Sequence, residues 1–180
     1  MRLFTAIELP PDVRRTIYGW THRGDGSDVK WVEEENLHIT LKFFGEVSEV
    51  RVNELCDSLK QIAPAGAPLL WPGPTNCFPN RGAVATIVMD VQGQVDRLRR
   101  LYADVDSKAR ELGYRADRRP YCPHITLGRA RPVLSPYSRA ALSGKTMKTQ
   151  HQFIATEFVL MQSLLKPQGP QYIPLARFPL

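Results

Sequence analysis

Two tetrapeptides, His38-Ile39-Thr40-Leu41 and His124-Ile125-Thr126-Leu127, hold half of the four histidines in this 180-residue chain and lie 86 positions apart. Four His and ten Thr in a chain of this length give about 0.2 His-x-Thr pairs by chance. A lone His-x-Thr on a strand is more often a part-buried His bonded to backbone; the duplication, with the same Ile and Leu each time, reverses that weighting. In a strand, residues two apart share a face. His38 and Thr40 therefore look one way while Ile39 and Leu41 pack behind them, and His124 and Thr126 repeat the arrangement. Two such strands side by side would gather two imidazoles and two hydroxyls around one small space. Phosphoryl hydrolysis uses that set. A neutral imidazole takes a proton from water, and a protonated one gives a proton to the departing alkoxide; an ordinary His pKa of about 6.5 suits both tasks. The hydroxyls can bond phosphate oxygens as charge builds. Two His without nearby Asp, Glu or Cys ligands make an incomplete zinc site, so neither a metal nor another cofactor is expected.

The elements that would position these residues follow from periodicity. Arg2–Leu9 reads as a strand closed by Pro10-Pro11, and Val13, Ile17 and Trp20 then fall at helical spacing. Thr21–Asp28 reads as a loop and Leu37–Gly45 as the first motif strand. Ser48 is a candidate N-cap for a helix bearing Val52, Leu55, Leu59 and Ile62. Pro64–Pro79, full of Pro, Gly and Ala, reads as a short edge strand or as a connection between lobes. Gly82–Val91 is a strand, Val95 to Leu112 a long amphipathic helix ending at Gly113, and Pro123–Ala130 the second motif strand. A weak helix over Pro136–Leu142 and a strand over Phe153–Gln162 complete the pattern. The order strand, helix, motif strand, helix occurs twice, as in a duplicated unit. Alternation of helices and strands also fits a parallel α/β sheet, but the one polar side of each motif strand favours antiparallel sheets lining a cleft. The expected fold is α+β and bilobal, with two pseudo-symmetric antiparallel lobes, outer helices and a central cleft, forming one domain over 1–180.

Composition narrows the class without identifying it. Hydrophobic residues at 43% and charged residues at 23% suit a globular domain, and a net charge of +6 favours an anionic partner. Three cysteines, Cys56, Cys77 and Cys122, make an odd number with no C-x-x-C spacing, which points to a reducing cytoplasm. Glu8 and Pro10 interrupt the first apolar run, so no signal peptide is expected, and no apolar stretch approaches membrane-spanning length.

The motif blocks resemble the two-histidine phosphoesterase superfamily, and within it the bacterial and archaeal RNA 2′,3′-cyclic phosphodiesterases historically called 2′-5′ RNA ligases. The resemblance covers nearly the whole chain. It runs through Arg2-Leu3-Phe4 with Ala6-Ile7, Asn36 to Val47, Phe78-Pro79-Asn80, Pro123 to Arg129, and Pro167 to Tyr172. It implies attack of water on a cyclic phosphate, leaving a 2′-phosphate, with His38 as proton donor and His124 as proton acceptor. The near symmetry of the motifs does not by itself fix which His plays which part. The implied partners are RNA with 2′,3′-cyclic phosphate ends or small cyclic nucleotides, met by a monomer.

Three further residues are candidates for holding substrate. Arg129, five positions after His124, could pair bidentately with phosphate. Strict alternation puts Lys42 and Phe44 on the His38 side, whereas the family pattern points to Phe43 as the ring that stacks on a base. Lys42 and Phe43 are both carried as substrate-binding. Arg115, Arg118 and Arg119 could guide a polyanion or simply be solvated. His22 and His151 read as surface residues, and Trp31 and Trp71 as packing residues. Two other functions stand beside hydrolysis: 2′-5′ ligation, which the same residues would catalyse in reverse, and a non-catalytic RNA-binding module, which would not need an acid–base pair.

Overall fold

A computed structural model describes residues 1–21, 29–64, 66–79, 86–131, 134, 136–167 and 169–180. The expected loop after Thr21, with His22, and the positions of Asn80 and of the expected strand start at Gly82 lie outside the described residues.

In chain order the elements are β1 (Arg2–Glu8), α1 (Pro11–Thr21), β2 (Val29–Trp31), a 3₁₀ turn (Glu34–Asn36), β3 (His38–Glu46), α2 (Glu49–Lys60), β4 (Leu69–Phe78), β5 (Thr86–Gly93), α3 (Val95–Glu111), β6 (His124–Ala130), α4 (Pro136–Leu142), β7 (Phe153–Ile154), β8 (Glu157–Lys166) and β9 (Gly169–Pro179). The strands run β7-β4-β5-β6-β3-β1-β8-β9, with β2 added beside β6, and the described pairings are antiparallel. The parallel alternative is thereby excluded. β3 and β6 meet at the single described pair Ile39 and Ile125, so the nine-stranded sheet divides there into β3-β1-β8-β9 and β7-β4-β5-β6, with the short β2 beside β6. The second lobe is drawn from a continuous stretch, 69–154. The first combines β1 and β3 with the C-terminal hairpin β8–β9, which returns to pair with β1.

The core lies behind the motif strands. Ile39, Leu41, Ile125 and Leu127 are all buried there, as alternation requires. Helix α1 contributes Val13 and Ile17, α2 Leu55 and Leu59, and α3 Leu98, Leu101, Val105 and Ala109 to the same core. Each of the larger aliphatic side chains contributes about 1.5–3 kcal/mol of transfer free energy. Ser48 does precede α2, but its side chain makes no capping bond. Gly113 follows α3 with φ of 82°, the left-handed conformation that ends a helix without a Cβ penalty.

Two strands depart from expectation. β4 is a full ten residues although it carries Pro72 and Pro74. Its outer neighbour β7 pairs only with Leu69 and Leu70, so the prolines fall beyond that pairing, at a register shift between Pro72 and Thr75, whose backbone is bonded instead to Gly144 and Lys145. β9 pairs with β8 from Gly169 to Pro179 despite Pro170, Pro174 and Pro179, again at the edge of the sheet. Trp31 and Trp71 are half-buried packing residues, and His151 is half-buried rather than fully exposed.

Candidate active site

The seam between lobes brings the two motifs together. Around the Ile39–Ile125 pair the strands run in opposite directions, which relates His38-Ile39-Thr40 to His124-Ile125-Thr126 by a local two-fold axis. Both isoleucines point into the core, so both imidazoles and both threonines face the cleft.

Each imidazole is tethered in the same way. His38 Nδ1–H donates to the carbonyl of Asn36 at 2.7 Å, and His124 Nδ1–H to the carbonyl of Cys122 at 2.7 Å. A carbonyl only accepts, so the tether fixes the Nδ1–H tautomer and leaves Nε2 as the nitrogen that gains and loses a proton. His38 Nε2 lies 3.0 Å from Thr40 Oγ1, which donates to it in the neutral state. Phe4 and Tyr172 pack on the His38 ring at 5.1 and 5.2 Å between centroids. Burial in this aromatic box pushes the His38 pKa down to about 4, with His124 adding to the fall and the Asn36 carbonyl and Glu8 opposing it. Beside His124 stands Phe78, edge-on at 5.6 Å.

Both motif strands then kink at the same place. Opposite β1, the register moves from Ala6–Thr40 to Thr5–Lys42, leaving Leu41 as an extra residue. Opposite β5, it moves from Val88–Thr126 to Ile87–Gly128, leaving Leu127 extra. Each is a β-bulge, and it inverts the alternation beyond it. Phe43 and Arg129, the fifth residues after the two histidines, thereby become equivalent and exposed, Phe43 to 61%. Phe43 lies on the His38 side, 5.6 Å from Phe4, and Phe44 turns into the core. Arg129 reaches Thr86 Oγ1 at 3.5 Å, and its charge acts on the Tyr172 hydroxyl across the seam; burial, the larger effect, raises the Tyr172 pKa, and Arg129 and Arg2 oppose it.

The same bulge corrects the expectation for Lys42. Its side chain is wholly buried on the opposite face, with Nζ 2.7 Å from Asp106 Oδ1, 3.1 Å from the Arg115 carbonyl and 3.4 Å from Asp117 Oδ2. It does not reach the cleft. Phe43 and Arg115 both border a groove of about 430 Å³ that also involves Arg51, Tyr114 and Asp117. Arg118 and Arg119 are exposed on the segment entering the second motif.

Sequence reading missed four residues that cross-strand register delivers. Glu8 pairs directly with His38 and Asp90 directly with His124, so each imidazole has a carboxylate beside it on the same face. Arg177 holds Glu8 at 2.6 Å and also bonds Glu157. Asp90 instead accepts from the Asn76 side chain; burial raises its pKa, and the Asn76 bond and His124 oppose that rise. Phe4 and Tyr172 complete the box around His38. Their only signal in the sequence is their place within the blocks of family resemblance. Among the described residues no three His, Cys, Asp or Glu side chains cluster as a metal ion would require, and no helix is long and apolar enough to cross a membrane.

Comparison with known proteins identifies the family and the fold. A family model described as LigT like phosphoesterase matches residues 7–71 and 90–172. The RNA 2′,3′-cyclic phosphodiesterase of Methanocaldococcus jannaschii is 31% identical over 96% of this chain and 96% of its own length. Among solved structures, TT0787 of Thermus thermophilus superposes with a TM-score of 0.83 at 28% identity, covering 100% of this chain and 98% of that one. Escherichia coli LigT complexed with 3′-AMP superposes with a TM-score of 0.80 at 26% identity, covering 99% and 97%.

Proposed function

This chain belongs to the LigT-like phosphoesterase family, and from that premise we propose that it hydrolyses 2′,3′-cyclic phosphate ends of RNA, or of small nucleotides, to 2′-phosphomonoesters. The observation that carries the reading is the pair of imidazoles, each tethered at 2.7 Å through Nδ1, on two strands that meet at Ile39–Ile125. In the reaction a water oxygen forms a bond to phosphorus and the bond from phosphorus to O3′ breaks. The water proton passes to Nε2 of the neutral His124. A proton on Nε2 of His38 passes to the departing O3′. Thr40 and Thr126 donate to the non-bridging oxygens, Arg129 pairs with the same phosphate, and Phe43 stacks on the terminal base.

The donor role makes a demand on His38, whose imidazole is neutral in the free protein at pH 7. The anionic phosphate must raise its proton affinity on binding, offsetting the cost of burying the charge. Substrate therefore loads its own acid. The working unit is the monomer over 1–180, because one chain supplies both motifs, and its three free thiols suit a reducing cytoplasm. Catalysis uses no metal, since proton transfer and hydrogen bonds cover each step; activity should survive exhaustive chelation.

The deciding experiment is product analysis after incubation of the pure protein with adenosine 2′,3′-cyclic phosphate. The 2′-phosphate should form alone. Formation of the 3′-phosphate, or loss of turnover on chelation with recovery on adding one divalent ion, would overturn the mechanism.

A further inference from the structure

A wholly buried lysine one residue from an exposed aromatic is an uncommon arrangement, because desolvating an ammonium is costly unless its partners are well placed. An apolar side chain would fill the same space. What an apolar side chain would not do is choose which of two successive residues faces inward. A one-residue slip beyond a bulge exchanges the two faces of a strand. The corresponding position in the second motif strand is Gly128, where register is held differently. β2 lies against it so closely that a Cβ there would come within 2.6 Å of Val29 Cγ1 and 3.0 Å of the Lys30 carbonyl. Among the described residues no strand covers Lys42 in that way; instead its Nζ engages Asp106 of α3 together with Asp117 and the Arg115 carbonyl. Asp106 is itself held by Arg110 at 3.0 Å, and Asp117 by the Tyr102 hydroxyl at 3.0 Å. Tyr102 stacks on Tyr121 at 4.3 Å, and Tyr121 donates to the Thr40 carbonyl at 3.1 Å, returning to the motif strand two residues before Lys42.

We infer that Lys42 is a positioning residue for base recognition: its buried ion pair with Asp106 and Asp117 locks the bulge that turns Phe43 toward the cleft. The kinetic part of this inference rests on the proposed cyclic phosphodiesterase activity; the structural part does not. Lys42 touches neither phosphate nor histidine, so its effect passes through Phe43 and depends on the presence of a base.

Two measurements test it together. In the first, kcat/KM is compared for adenosine 2′,3′-cyclic phosphate and for 1-O-methylribose 2′,3′-cyclic phosphate, which lacks the base. Lys42→Met should match Phe43→Ala, losing about 10-fold or more on the nucleotide, as expected for one lost stacking contact, and under about 2-fold on the base-free ester, which has no base to stack. The double variant should be no worse than either single one. In the second, a 4-fluorophenylalanine label at position 43 is followed by fluorine NMR in the unliganded protein, where Lys42→Met should shift or broaden its resonance. Should Lys42→Met fold poorly because Asp106 is stranded, Lys42→Met/Asp106→Asn carries the same tests without an unpaired charge. Equal losses on both esters, or an unmoved fluorine resonance, overturn the inference. If the wild-type protein hydrolyses neither ester, the activity reading falls and the resonance alone decides whether Lys42 places Phe43.

Discussion

The two motif strands share sequence, tether and bulge, yet the cleft walls around them are opposites. His38 sits against Phe4 and Tyr172, with Phe43 packed on the Phe4 ring, and the carboxylate beside it, Glu8, is already claimed by Arg177. His124 sits beside Asp90, which is bonded to Asn76 and has no cationic partner among the described residues, with Phe78 at its edge. A repeated motif fixes where two imidazoles stand. Their inequality comes from neighbours outside the motif, contributed by strands that differ between the two lobes.

The largest effect expected is the loss of either histidine. His38→Ala and His124→Ala should each lower kcat by roughly 10²–10⁴-fold, the usual worth of one acid or base, with circular dichroism unchanged. A cyclic ester with sulfur in place of the 3′ oxygen has a leaving group that needs no proton. It should restore most of the rate to His38→Ala and little to His124→Ala; the reverse pattern would exchange the two roles.

The aromatic box should show itself in pH dependence. The folded pKa of His38, about 4, lies below its ordinary 6.5. As pH falls from about 6.5 the unfolded chain binds a proton that the folded one refuses, so stability declines down to about 4 and then levels for this group. The loss is about 3 kcal/mol, read from denaturant midpoints, and His38→Gln should flatten that part of the curve. The acid limb of kcat/KM should lie near the same pH, whichever histidine is the donor, because the productive state carries one proton shared over a coupled pair.

Removing the charge beside His124 should matter more than removing the one beside His38. Asp90→Asn should lower kcat/KM several-fold, because it removes the carboxylate paired across the strands with His124, and Glu8→Gln by less, since Arg177 already offsets that charge. Equal effects would mean that the two walls are electrostatically alike. Smallest are Thr40→Ala and Thr126→Ala, each costing about 1 kcal/mol, or several-fold in kcat, for a lost hydrogen bond.

Much of this was legible in the sequence where a single period governed it. Alternation alone separates His38 and Thr40 from Ile39 and Leu41, and 3.6-residue spacing finds α1, α2 and α3. It fails at Lys42 because a bulge adds a residue without leaving a mark in the strand that carries it. It leaves β4 open between a short edge strand and a connection and assigns nothing to β9, because prolines are tolerated on edges whose neighbours are not known in advance. Glu8 and Asp90 escape it altogether: cross-strand partners depend on register between segments far apart in the chain. The family resemblance points to Phe43 rather than Phe44 where alternation does not, because a resemblance carries the bulge with it.

The return of the C-terminal hairpin to the first lobe has a consequence for synthesis on the ribosome. The second lobe is contiguous, 69–154, and all of its strands have been synthesised before β8 begins. The first lobe waits for β8 and β9, which bring Tyr172 against the His38 ring and Arg177 against Glu8. A nascent chain that ends between residues 130 and 157 carries both motif histidines but lacks the Tyr172 side of the box around the first of them. The surroundings of the two imidazoles become unequal in full only when β8 and β9 have joined the first lobe.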